Sequence, residues 1–256
     1  MKTSAIWSGV AAGLLAAASM ALAVDPPSVA LDVPVLSSYV WRGQTLNDKP
    51  VVQPSLTVGQ AGFALNAWSS YNIDGAYQGD FSEMDLTASY SKSVGPVALG
   101  GGVVQYTFPN QTLAVEDGED VAYPGTVEVY GTAGLPDVPL APAVTVYCDV
   151  DAIDGFYGML AAGHSFELAD KVSLALSASL GAGDADYNAG YFGVDDAALN
   201  DLVVGAALPI AVLEHLILKP AISYVYLPDS DTRDAAEAVY GEEDAVVGSL
   251  VASYSF

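Results

Sequence analysis

The chain has 256 residues, with 31 acidic against 7 basic, a formal charge of −24, a single cysteine and a 52% apolar share. This acidic excess excludes nucleic acid as a partner, because phosphate contacts need Lys and Arg, and the lone Cys148 excludes an internal disulfide. A positive mean hydropathy of +0.36 with so few basic groups suits strands that face lipid better than a soluble secreted domain.

In chain order, residues 1–23 read as a secretory signal, with Lys2 as its charged start, an Ala-rich apolar stretch and an Ala21-Leu22-Ala23 cleavage site. Residues 24–256 then form one domain, whose 6 basic and 31 acidic residues leave a charge of −25. They contain no apolar run of the ~18 residues that a spanning helix requires. The longest candidate, 202–213, is interrupted by Pro209 and closed by Glu214.

Strand-like segments separated by Gly, Pro, Asp and Asn fall at 30–43, 51–59, 62–72, 83–93, 96–108, 125–134, 140–149, 155–166, 171–182, 200–209, 215–227 and 245–256. Their even number fits an all-β fold, a 12-stranded antiparallel transmembrane β-barrel. With the amino terminus on the periplasmic side, the outward links are long and acidic and the inward ones short, as such barrels require. In the ninth segment Val172, Leu174, Leu176, Ala178 and Leu180 alternate with Ser173, Ser177 and Ser179, so one face suits lipid and the other water. In the last, Val246, Gly248, Leu250, Ala252, Tyr254 and Phe256 share a face, and the chain ends on an aromatic ring. Residues 97–104 and 156–166 are apolar or glycine-rich on both faces, which leaves their registers open.

Three stretches occur in order and spacing: Ser37-Ser38-Tyr39-Val40-Trp41-Arg42-Gly43, Lys49-Pro50-Val51-Val52-Gln53, and Gly62-Phe63 leading to Ala67-Trp68-Ser69-Ser70. They resemble the TorF family of porin-like proteins of proteobacterial outer membranes, and Tyr106 to Pro109 and Glu128-Val129-Tyr130 extend the likeness. Trp41 stands where that family more often has Phe, and Val51 where it often has Ala. The resemblance covers 37–130 well and implies a barrel with a porin role, while saying little about the solute.

Candidate pore-lining residues are those whose alternation turns them inward. If Tyr39 and Trp41 join the outer aromatic girdle, Arg42 and Ser38 point inward near the external mouth. Arg42 then either meets anionic solutes or pairs with a lumen carboxylate, whose geometry a guanidinium fork suits. Glu128 faces in with Tyr130, and Lys219 with Ser223, because a Lys in contact with lipid at mid-membrane costs roughly 2–4 kcal/mol. The acidic mouth comprises Glu116, Asp117, Glu119, Asp120, Asp195, Asp196, Glu242 and Glu243. These acids either concentrate cations or form a solvated surface. The run from Asp149 begins like a calcium loop but has Leu160 at the twelfth position, so no metal site is assigned and no cofactor is expected. His164 and His215 both fall at the periplasmic end without a nucleophile motif, so no catalytic residue is assigned.

The expected function is passive diffusion of small polar solutes or ions through a narrow outer-membrane channel, with cations favoured by the acidic mouth. The alternative is a structural or adhesive barrel whose loops bind divalent cations, lipopolysaccharide or a surface partner. Membrane lipid is the expected surrounding, and a monomer is the default state.

Overall fold

The computed structural model describes residues 27–256 apart from Ala76 and 114–120. The first strand, β1 (Ser28–Leu36), is followed by a short ribbon of β2 (Tyr39–Trp41) and β3 (Gln44–Asn47) that pairs only with itself. Next come β4 (Val51–Val52) and β5 (Ser55–Gln60), one wall strand divided at Pro54, which has no amide hydrogen to donate to the ladder. The wall continues with β6 (Phe63–Asn72), β7 (Phe81–Val94) and β8 (Val97–Thr107). A small outer pair, β9 (Thr112–Leu113) and β10 (Val121–Ala122), precedes β11 (Thr126–Gly134), β12 (Ala143–Asp149), β13 (Phe156–Ala169) and β14 (Val172–Gly183). After helix α1 (Ala185–Phe192) come β15 (Ala198–Ala207), its continuation β16 (Ile210–Ala211) beyond Pro209, and β17 (Leu216–Tyr226). Helix α2 (Ser230–Tyr240) leads into the last strand, β18 (Asp244–Ser255).

All wall neighbours are antiparallel, and β18 returns to β1 in a register running from Ala30↔Ser255 to Leu36↔Ser249. Counting β4 with β5 and β15 with β16, twelve strands close into a barrel. Closure leaves no unpaired edge, which is what allows a sheet to sit in hydrocarbon. The outward positions are apolar and exposed, among them Leu65, Leu86, Leu160, Ile222, Val246 and Leu250. A continuous belt of this kind calls for lipid and not water around it. No helix among the described residues is long and apolar enough to cross a membrane.

The registers left open by the sequence are resolved by pairing. In β13, Tyr157, Met159 and Ala161 are buried inside while Phe156 and Leu160 face out, and in β8 Val104 and Tyr106 are buried between exposed Val103 and Gln105. Short turns such as 61–62 and 95–96 gather at one end of the barrel. The ribbon, both helices and the longer links gather at the other.

Two expectations are corrected. The segment 30–43 is not one strand, because β1 ends at Leu36 and the chain then leaves the wall, with the Ser37 amide donating to the Gly248 carbonyl at 2.9 Å. The seam partner of β18 is therefore Ala30 to Leu36, without Arg42. Tyr39 and Trp41 belong to the inward ribbon and not to an outer girdle, since Tyr39 is 7% exposed and stacks against Trp68 while Trp41 meets Tyr106 and Tyr191. The two helices were not anticipated in the links that hold them.

Candidate functional site

The tip of the inserted ribbon is a two-residue turn, with Arg42 at φ 48° and Gly43 at φ 85°. Positive φ at both central residues is the type I′ hairpin geometry, which matches strand twist and favours glycine. At Gly43 a Cβ would also lie 3.2 Å from the Leu227 side chain. Arg42 has a Cβ in this conformation, at a cost of about 1–2 kcal/mol, so its contacts must offset that strain.

Those contacts are dense. The guanidinium donates through both terminal nitrogens to Glu128, at 2.7 Å to Oε1 and 2.8 Å to Oε2. The Tyr106 hydroxyl donates to the same Oε2 at 2.7 Å. The guanidinium carbon lies 4.3 Å from the ring centres of both Tyr147 and Tyr157, 4.4 Å from Trp41 and 5.8 Å from Tyr187. Side-chain exposures of 8% for Arg42 and 1% for Glu128 make this a desolvated pair, in which each charge depends on the other.

Strand alternation supplies the walls of this cage. Tyr106 comes from β8, Glu128 from β11, Tyr147 from β12 and Tyr157 from β13, all on inward positions at the loop end. The Tyr157 hydroxyl donates to Asp201 Oδ1 at 2.6 Å, and at Gly181 a Cβ would come within 2.1 Å of that hydroxyl, so only glycine fits beside it. Helix α1 closes the cage from above. Its N-cap Asp184 accepts from the amides of Tyr187 at 2.9 Å and Phe156 at 3.0 Å, tying the helix to the wall. Burial pushes the phenol of Tyr187 up from its ordinary pKa, with Arg42 pulling the other way, and burial also raises Tyr191. Both rings therefore stay neutral. Helix α2 adds Tyr240, whose hydroxyl lies 2.7 Å from Gln44 Oε1 on the ribbon and 2.9 Å from the Tyr191 carbonyl.

The ribbon's opposite flank meets acids of β7. The Tyr39 hydroxyl donates to Glu83 Oε2 at 2.9 Å, while Asp85 Oδ1 and, on the ribbon, Gln44 Nε2 are buried without a hydrogen-bond partner among the described residues. Of the other candidates, Ser38 is buried where the ribbon begins, and Tyr130 is a half-buried inward ring 5.4 Å from that of Tyr147. Lys219 and Ser223 are buried on the inner face of β17, away from Arg42 and Glu128, with Asp32 supplying opposite charge to Lys219. Asp195 and Asp196 are exposed after α1. Glu242 is half-buried after α2, and Glu243 is exposed with a carboxylate 3.8 Å from Arg233. Glu116, Asp117, Glu119 and Asp120 lie outside the described residues. Asp149 Oδ1 accepts from the amides of Asp151, Ala152 and Ile153, so the calcium-like stretch is a side-chain-capped turn. Sequence reasoning gives Tyr147, Tyr157 and Tyr187 no place in the site and sets Trp41 on the outer girdle. The usable signal was the Arg-Gly pair, a turn dipeptide between strand-forming residues.

Residues 20–208 match the family model described as "Bacterial protein of unknown function (Gcw_chp)". The chain belongs to this bacterial family. No curated protein matches it in sequence. Among solved structures, the COG4313 outer membrane channel from Pseudomonas putida F1 is 12% identical, with a TM-score of 0.51 over 92% of this chain and 97% of that one. The NanC porin is 14% identical, with a TM-score of 0.49 over 88% and 98%. At 12% identity the likeness to the COG4313 channel speaks for the fold, and it agrees with the closed twelve-stranded barrel.

Proposed function

We propose that this protein is an outer-membrane channel for passive diffusion of small polar solutes or ions, in which the ribbon of loop one forms the constriction. The observation that carries the reading is the inner face of the turn end. Thr57, Asn66, Thr87, Ser91, Thr132 and Ser165 point inward there and remain half-exposed, so the inner face below the Arg42 cage is polar and accessible. The resemblance to TorF porin-like proteins agrees with it, and it locates the quoted motifs: Tyr39, Trp41, Arg42, Trp68, Tyr106 and Glu128 are the residues of the ribbon and its seat. Cations are favoured, because acids outnumber bases on the inner face and in the loops.

Purified protein in a planar bilayer should give a small ohmic conductance with a cation-selective reversal potential, and Arg42→Ala should enlarge the conductance. The filled loop end favours a second reading, a structural or adhesive barrel whose acidic loops engage divalent cations or lipopolysaccharide. Absence of conductance and of liposome swelling, in both wild type and variant, would remove the channel and leave that second reading.

A further inference from the structure

The Arg42 seat is built by the barrel, whereas its occupant is delivered by a separable element. Glu128, Tyr106, Tyr147 and Tyr157 stand on wall strands, while Arg42 arrives on a ribbon whose two strands pair with each other and with no wall strand. The seat matches one chemical group closely. A carboxylate takes a planar cation through two parallel N–H bonds of 2.7 and 2.8 Å, and two tyrosine rings cover it at 4.3 Å. A forked, weakly hydrated cation uses every one of these contacts. An ammonium group would use the charge but not the fork.

The occupant is also held at a cost. Arg42 has a left-handed backbone, and the seated ribbon leaves Gln44 Nε2 and Asp85 Oδ1 buried without partners among the described residues. Withdrawal of the ribbon would return these groups to water. We propose that the pocket of Glu128, Tyr106, Tyr147 and Tyr157 is a binding site for guanidinium-bearing solutes, occupied at rest by the chain's own Arg42, which an incoming solute displaces. The proposal rests on the channel reading and names the solute class for its constriction. A tethered side chain competes at high effective concentration, so the wild type should bind such solutes weakly and a variant lacking the tethered group more tightly.

The test uses the full chain in detergent micelles, with methylguanidinium and methylammonium as probes at matched ionic strength, read by calorimetry. Arg42→Ala should bind methylguanidinium about tenfold or more tightly than methylammonium, and more tightly than the wild type does. Adding Glu128→Gln should abolish the preference. Equal binding of the two probes by Arg42→Ala, or a preference that survives Glu128→Gln, overturns the proposal. If Arg42→Ala lacks the heat-modifiable band of a folded barrel, Arg42→Lys carries the same test, since its ammonium competes less well for the fork and methylguanidinium should again bind more tightly than to the wild type. Failure of that gain overturns the proposal too. Bilayer recordings separate the two readings: discriminating binding without conductance in any form removes the channel and keeps the site, whereas conductance without discriminating binding does the reverse.

Discussion

Followed from the loop end to the turn end, β7, β11 and β13 change the kind of residue they point inward. On β11 the inward series runs Thr126, Glu128, Tyr130 and then Thr132, and on β13 it runs Tyr157, Met159, Ala161 and then Gly163 and Ser165. On β7 Glu83 and Asp85 give way to Thr87, Ser89 and Ser91. Burial follows: Glu128 and Tyr157 are 1% and 2% exposed, while Thr132, Ser165 and Ser91 are half-exposed. The same alternation thus serves two environments. At the loop end large polar and aromatic groups bond to one another and are buried, and at the turn end smaller polar groups such as Ser91 and Ser165 stay half-exposed, while Thr132 bonds the Val144 carbonyl. A barrel of twelve strands has an interior that side chains alone fill only when they are large, or when a loop is folded into it.

The largest effect expected from this contrast is at Glu128. Glu128→Ala leaves the Arg42 guanidinium buried without its carboxylate, and breaking one side of such a pair costs about 3–5 kcal/mol. Urea unfolding of the barrel in lipid vesicles should register that loss, and bilayer conductance should rise as the ribbon leaves its seat. Ser91→Ala, half-exposed and facing inward at the turn end of β7, should change neither appreciably. Similar losses at both sites would mean that the two ends are packed alike.

How much of this was legible beforehand follows from which physics constrains each residue. Period-two alternation with lipid outside is demanding, so Leu174, Leu176 and Leu180 against Ser173, Ser177 and Ser179 disclosed the barrel, and Phe256 and Tyr254 its closing strand. Inside, the same alternation carries less information. Tyr39 and Trp41 look alike whether they meet lipid or a lumen, so alternation admits the girdle for them although they belong to a ribbon within it. The Arg-Gly turn was read as a strand end, because a turn at that point requires the chain to enter its own barrel, which no local pattern demands. Helix α2 carries its own signals, Asp229 as N-cap and Gly241 as C-cap with φ 81°, but in an acidic link Asp and Gly are equally at home in a loop. Partners such as Tyr147, Tyr157 and Tyr187 lie more than 100 residues after Arg42 in the sequence, and only the closed ring brings them to it.

A smaller effect separates two glycines of neighbouring strands. Gly181→Ala places a methyl group within 2.1 Å of the Tyr157 hydroxyl and 2.3 Å of Asp201 Oδ1, breaking the bond that steadies one wall of the cage. Overpacking of this kind costs typically about 1–3 kcal/mol. Gly158→Ala, on β13 where a Cβ meets nothing within 4 Å, should be near neutral in the same urea titration. Equal losses would show that backbone conformation, and not the fit of Tyr157, decides the outcome.

The smallest effect tests the other end. Ser177 faces inward on β14 and is half-exposed. If its hydroxyl is served by water, Ser177→Ala exchanges one hydrated small side chain for another and should fall within about 0.5 kcal/mol of the wild type, as for surface positions. Its effect on conductance should be slight but in a defined direction, because removing a hydroxyl from a wetted wall raises the cost of passing a partly dehydrated ion. A loss of more than about 1 kcal/mol would instead show that this hydroxyl is a buried group deprived of its partner, with the penalty typical of that case. The turn end would then be a second packed region, and the space leading to Arg42 would not be an aqueous one.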